Sequence, residues 1–192
     1  KPYSHKLVAD DVILVADEIG LDKFYVVGHS AGGFALLSLA KFYSDRIIKG
    51  VSIASLYNYV GIDYNEKNDD YLTRTGFMDN RNDRNNYTLK IFDHAYEKIG
   101  ESEKFDSTKK VMVNYGASMF PSYNSSDLSV ITTPILVIVA EKDDRIKPEH
   151  TIGMSKLIQD SQLEVVKGAQ HFGIVKRKKH VDIVIEHIFN YL

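Results

Sequence analysis

Cysteine is absent from the 192 residues, which excludes a disulfide framework, a thiolate metal site and a cysteine nucleophile. No apolar run approaches the roughly 18 residues that span a bilayer. The longest strongly apolar stretch, Ile135–Ala140, has the length of a strand. A basic excess is missing too: 24 Lys and Arg stand against 26 Asp and Glu, a formal charge of −2. That balance lacks the positive footprint of nucleic-acid or membrane-surface binding, so neither is an expected partner. The sequence opens on Lys-Pro-Tyr without Met, so a targeting segment upstream would lie outside it. The expected compartment is the cytoplasm. What remains is ordinary, with 44% apolar and 26% charged residues. This excludes a collagen-like, coiled-coil or wholly disordered chain and suits one sizeable core.

The first segment, Ser4 to Ile19, reads as a helix. Val8, Val12, Val15 and Ile19 recur at helical spacing, Ser4 is a candidate N-cap and Gly20 a stop. Phe24–Val27 is a short apolar strand, Phe34 to Phe42 a mostly apolar helix, and Ile47–Leu56 the next strand. Helix, strand, helix, strand is the alternation of an α/β chain with a parallel sheet. After Pro134 the rhythm resumes with a buried strand at Ile135–Ala140, a helix at Glu149–Gln159, a strand at Leu163–Val166 and a closing helix at Val181–Leu192. The Lys176-Arg177-Lys178-Lys179 run is expected to be the solvated lead-in to that helix.

Between these parts the alternation stops. Residues 57–126 are more polar, carry an Asn-rich run at 80–86 and hold eight of the 12 tyrosines. Leu89, Phe92, Tyr96 and Ile99 predict one helix closed by Gly100, and Thr108–Tyr115 predicts another closed by Gly116. A linker would be poorer in aromatics. We therefore expect a core made of 1–56 and 127–192, with 57–126 as a helical insertion.

The chemistry concentrates in three places. Gly28-His29-Ser30-Ala31-Gly32 fits G-x-S-x-G, a weak pattern alone but here set between an apolar strand and a helix, as a nucleophile elbow requires. Such a turn strains Ser30 and projects its hydroxyl clear of the sheet, and Cβ atoms at 28 and 32 are expected to collide with neighbouring chain. The Ala31 N–H, at the start of the following helix, would face a developing oxyanion. A serine needs a base, and His171 lies just past the strand Leu163–Val166. The base needs an acid, and Asp143 and Asp144 both follow the strand Ile135–Ala140; the other would be a turn or N-cap residue. All three places lie at the carboxyl ends of parallel strands. His29 reads as a packed neighbour rather than a catalyst. The remaining histidines lack a ligand spacing such as H-E-x-x-H, so no metal is expected.

These residues, with Thr133–Val139 leading to Asp144-Arg145-Ile146-Lys147-Pro148 and with Gly168-Ala169-Gln170-His171-Phe172, resemble the α/β-hydrolase superfamily. The resemblance implies a mostly parallel sheet flanked by helices, a cap in place of 57–126, and a triad in the order Ser, Asp, His without cofactor or metal. The family often has Pro four residues after the acid. Pro148 stands so for Asp144, although Glu141 replaces the Gly usual three residues before it. Asp144 is accordingly the preferred acid, Asp143 the alternative.

Only 29 residues precede Ser30, and no His-Gly dipeptide marks the loop that supplies the family's second oxyanion donor. Loss of one donor would cost about 3 kcal/mol in the acyl-transfer barrier, and the strand Phe24–Val27 would keep an unpaired edge. The expectation is the carboxyl-terminal part of a longer hydrolase, its missing strands supplied by the same protein or by a partner chain. The implied activity is carboxylesterase-type hydrolysis of a small ester or related acyl compound by Ser30, His171 and Asp144, with Ala31 in the oxyanion hole. The alternatives are a C–C bond hydrolase, an aminopeptidase, a lactonase or a non-catalytic ligand-binding protein of the same fold.

Overall fold

The computed structural model of the protein describes residues 4–63, 87–107 and 122–192. The predicted helix at 108–115 and the Asn-rich run lie outside these residues. The described chain divides into two compact units, Lys1–Asp63 with Phe120–Leu192, and Tyr64–Met119.

The first unit opens with α1 (His5–Glu18), where the Ser4 hydroxyl accepts from the Leu7 N–H at 3.1 Å. Gly20, at φ 76°, ends it in the left-handed region, which its missing Cβ makes inexpensive. The valine stripe marks the helix but only borders its buried face, with Val12 packed beside it. Ala9, Ile13 and Ala16 are buried, while Val15 and Ile19 are 61% and 65% exposed. The two alanines let the backbone come close to α2 (Ala31–Phe42), so Ala9 and Ile13 pack with Leu39 and Ile47.

Four parallel strands follow one another in space as in sequence: β1 (Phe24–His29), β2 (Ile47–Ile53), β3 (Ile135–Ala140) and β4 (Ser161–Val166). Such parallel neighbours need crossovers. Those that are described are α2, between β1 and β2, and α5 (Pro148–Leu157), between β3 and β4; after β4 the chain ends in the short α6 (Gly173–Lys176) and α7 (Lys178–Tyr191). A one-turn helix missing from the sequence reading, α4 (Ser125–Ser129), precedes β3 and is closed by a capping box between Asn124 and Asp127.

Side chains alternate across each strand, so β3 supplies both halves of the core. Ile135, Val137 and Val139 join Leu36, Leu37, Leu128 and Met154 on one face, while Leu136, Ile138 and Ala140 join Val51, Ile53, Ile174 and Val184 on the other. Each fully buried aliphatic side chain contributes about 1.5–3 kcal/mol. The register aligns His29 with Ile53 and Ile53 with Ile138, which brings the carboxyl ends of β1, β2 and β3 side by side.

The stretches 57–63 and 122–126, placed in the insertion by the sequence, belong to the sheet-bearing unit. Bridges Asn58–Ser122 and Ile62–Ile146, with the Tyr123 N–H donating to the Tyr57 carbonyl at 3.0 Å, tie them there. In the second unit, α3 (Tyr87–Lys98) ends at Gly100, which has φ 72°, and a short helical stretch covers 102–107. The rings of Tyr96 and the buried Phe105 stack with centroids 5.0 Å apart.

Candidate active site

β1 ends at His29, and the chain reverses through Ser30 straight into α2. Ser30 has φ 53° and ψ −116°, a strained backbone for a residue with a Cβ. The strain is held by hydrogen bonds on both sides. The Ser30 N–H donates to the Ile53 carbonyl at 2.9 Å. The Ser30 carbonyl accepts from the Gly33 N–H and from the Ser55 hydroxyl, each at 2.9 Å. Space is equally tight. A Cβ on Gly28 would lie 2.3 Å from the Gly32 carbonyl oxygen, whereas one on Gly32 would meet nothing within 4 Å. The second steric requirement falls instead on Gly33, where a Cβ would lie 2.3 Å from the Ser55 hydroxyl. The helix packs against the turn after β2 one residue later than the motif suggests.

His171 follows β4 in a turn that begins at Gly168. This turn and the one after β3 are laced together. The Lys142 N–H donates to the Ala169 carbonyl, and the Gly168 N–H to the Glu141 carboxylate, both at 2.8 Å. Glu141 thus ties the turn after β3 to the histidine turn.

The carboxylate paired with the His171 ring is Asp143, not the expected Asp144. His171 Nδ1 lies 2.9 and 3.1 Å from the two Asp143 oxygens, and Nε2 lies 2.9 Å from Ser30 Oγ. Asp143 Oδ1 also accepts the N–H groups of Arg145 and Ile146, both at 2.9 Å. Three N–H donors therefore converge on a carboxylate that is 2% exposed. Asp144 accepts the backbone N–H of His171 at 3.3 Å. The Asp143 N–H returns to the Ala140 carbonyl at 3.1 Å, and its side chain, held by the Arg145 and Ile146 N–H groups, meets the His171 ring. Pro148, the cue that favoured Asp144, is the first residue of α5 and carries no information about the acid.

A carboxylate only accepts, so the His171 imidazole carries its proton on Nδ1 and offers the Nε2 lone pair to the Ser30 hydroxyl. That arrangement can deprotonate a serine. Ala31 is the first residue of α2, where N–H groups have no intrahelical acceptor. His29 is the packed neighbour that the sequence suggests, and it adds a contact the sequence does not show: its Nε2 lies 3.0 Å from the His171 carbonyl oxygen. Its position beside Ser30 was the one available signal. Phe172 flanks both imidazoles, with the Lys176 ammonium 5.2 Å and the Arg145 guanidinium 5.8 Å from its ring centre. Among the described residues, no group of three His, Asp or Glu could hold a metal ion, and no helix is long and apolar enough to cross a membrane.

Over residues 3–177 the chain matches a family model described as alpha/beta hydrolase fold. A stretch of 52 residues is 48% identical to a protein of Caulobacter segnis named as a proposed carbamate hydrolase, RutD; it is 27% of this chain and 20% of that relative. A protein of the same name from Caulobacter vibrioides is 47% identical over 51 residues, 27% of this chain and 19% of its own. The match thus spans about a fifth of the length of these relatives. Among solved structures, a hydrolase from Oleispira antarctica is similar with a TM-score of 0.69 at 25% identity, over 97% of this chain and 72% of that one. An enol-lactonase from Burkholderia xenovorans is similar with a TM-score of 0.70 at 16% identity, over 98% of this chain and 74% of that one, a likeness of fold.

Proposed function

The chain belongs to the α/β-hydrolase fold family, and from that premise we propose that it is a serine hydrolase of the carboxylesterase type, cleaving a small ester or related acyl compound. One observation carries the reading: the unbroken hydrogen-bond line Ser30 Oγ, His171 Nε2, His171 Nδ1, Asp143. In it Ser30 attacks the substrate carbonyl while His171 takes the hydroxyl proton, forming an imidazolium that Asp143 stabilises. The Ala31 N–H, at the N-terminus of α2, faces the oxygen on which charge develops. His171 then returns the proton to the leaving group. Water, deprotonated by the same imidazole, releases the acid and restores Ser30.

A strained serine with both backbone polar groups tied, a base 2.9 Å away and a buried acid behind it is more than ligand binding requires. That weighs against a non-catalytic binding protein. The test is a fluorophosphonate probe read by intact mass, beside Ser30→Ala. We expect a gain of one probe in the native chain and none in the variant, with turnover of a responsive aryl ester reduced by several orders of magnitude. A native chain that gains no mass overturns the reading.

A second reading concerns the bond. Identity of 48% over 52 residues to a protein named for carbamate hydrolysis favours a carbamate as the acyl compound. The same line of residues would serve, with a carbamoyl group on Ser30. Parallel rates on an aryl ester, the matching carbamate, a lactone and an aminoacyl amide decide between the two readings and the other bond classes.

A further inference from the structure

We propose that His29, the variable residue of the elbow, is a positioning residue for the base: it holds the His171 carbonyl and thereby keeps the His171 imidazole on the Ser30 hydroxyl. The inference rests on the reading of Ser30, His171 and Asp143 as a catalytic line.

His29 is the last residue of β1, next to the nucleophile in sequence and beside the base in space. Its ring centre is 5.1 Å from that of His171 at 40°, and 6.1 Å from that of Phe172 at 63°. Its Nε2 lies 3.0 Å from the His171 carbonyl oxygen. A carbonyl only accepts, so this nitrogen carries the proton. The His171 backbone is then held on both sides, its N–H by Asp144 Oδ1 at 3.3 Å and its C=O by His29. The ring is held at its two ends by Asp143 and Ser30. Asp143 fixes the rotation of the ring, but the backbone clamp fixes where its Cα stands. Reactive groups must be held within about 0.5 Å of their working geometry, and a misplacement of about 1 Å can cost on the order of 10²-fold in rate.

The choice of donor also has a reason. Burial holds the His29 imidazole below its ordinary pKa, and the charges of His171 and Lys176 push the same way, whereas the hydrogen bond to the His171 carbonyl and the charge of Asp143 oppose. His29 therefore donates as a neutral ring. A Lys or Arg could reach the same carbonyl, but it would set a permanent positive charge beside a base that must become a cation in the reaction. A neutral N–H donor fixes the base without opposing its protonation.

The experiment compares the native chain with Ser30→Ala, His29→Gln and His29→Phe by probe-labelling rate, by kcat and KM on a responsive aryl ester, and by thermal midpoint. The amide of His29→Gln can place an N–H near the former Nε2; His29→Phe keeps a ring and removes the donor. We expect His29→Phe to lower kcat and the labelling rate about 10–100-fold with KM within about twofold, and His29→Gln to recover most of the loss. If His29→Phe does not fold, His29→Asn replaces it, its amide one bond too short to reach the carbonyl. Native-like labelling and kcat in His29→Phe, or equal losses in Phe and Gln variants with equal drops in thermal midpoint, overturn the proposal. An unlabelled native chain would instead strike at Ser30 itself and remove the premise.

Discussion

The proposed nucleophile and the proposed acid leave the sheet from two strands in opposite surroundings. β3, which delivers Asp143, is buried at all six positions and is hydrogen-bonded to β2 on one edge and β4 on the other. β1, which delivers Ser30, is bonded among the described residues to β2 alone, and its Tyr25 and Val27 are both 49% exposed. Both strands nonetheless end in well-determined turns. The acid is placed by the core beneath it and then finished by three N–H donors. The nucleophile is placed by a frame of backbone and serine hydrogen bonds across to the end of β2, and by close approach at Gly28 and Gly33. Precision near an edge is thus a local matter of hydrogen bonding and steric fit, whereas at the sheet centre it comes from packing. Damage should differ accordingly: changes at the elbow should reach activity first, and changes in β3 should reach stability first.

The sharpest way to test the β3 side is its pair of adjacent carboxylates. Asp143→Asn removes the acceptor that sets the His171 tautomer and should cost about 10⁴-fold in kcat. Asp144→Asn keeps an oxygen able to accept the His171 N–H and should cost less than about tenfold. Equal losses in the two variants would mean that the 2.9 Å contact to Asp143 is not the working one.

The same pair shows how far the sequence could be read. The α/β alternation, the cap on α1, the elbow and the place of His171 all follow from local signals, because spacing, capping and turn chemistry act within a few residues. The identity of the acid does not. Asp143 and Asp144 are one residue apart and both reach His171, and which one meets the ring and which the backbone is set by the conformation of the turn after β3, a geometry without a residue pattern of its own. The buried face of α1 escaped for a similar reason. Valines mark apolar character, but small Ala9 and Ala16 decide how closely a helix can lie on its neighbour. His29 was visible as a residue and not as a role, since its partner lies 142 residues away.

A stability comparison separates the two strands directly. Ile138, fully buried in β3, should cost about 2–5 kcal/mol when replaced by Ala. Val27→Ala on the half-exposed face of β1 should stay within about 0.5 kcal/mol. Urea unfolding of both variants checks this, with native-like labelling at Ser30 in any Ile138→Ala molecule that remains folded. A large loss from Val27→Ala would show that the outer side of β1 is covered in solution, and would end the contrast between edge and centre.

The smallest expected effect is one of pH, and it asks whether the two regions differ in how dry they are. His29 ends β1, and His150 lies in the first turn of α5, the helix after β3, with its ring stacked on Tyr57 at 4.1 Å. Burial lowers the pKa of both below the ordinary 6.5. The folded chain then holds these rings neutral in a window where the unfolded chain has protonated them. The unfolded state binds more protons there, so stability is constant above about pH 6.5, falls as pH drops through the window, and levels off below the folded pKa values. The slope is shallow, since both rings keep contact with solvent and water screens part of the penalty. Urea midpoints between about pH 7.5 and 5.5 should show it, because ordinary carboxylates titrate lower. His29→Gln and His150→Phe, the latter keeping a ring against Tyr57, should each remove part of the fall. If His150→Phe flattens the profile and His29→Gln does not, the edge is the wetter of the two regions; if neither changes it, burial of these imidazoles is not what ties stability to pH.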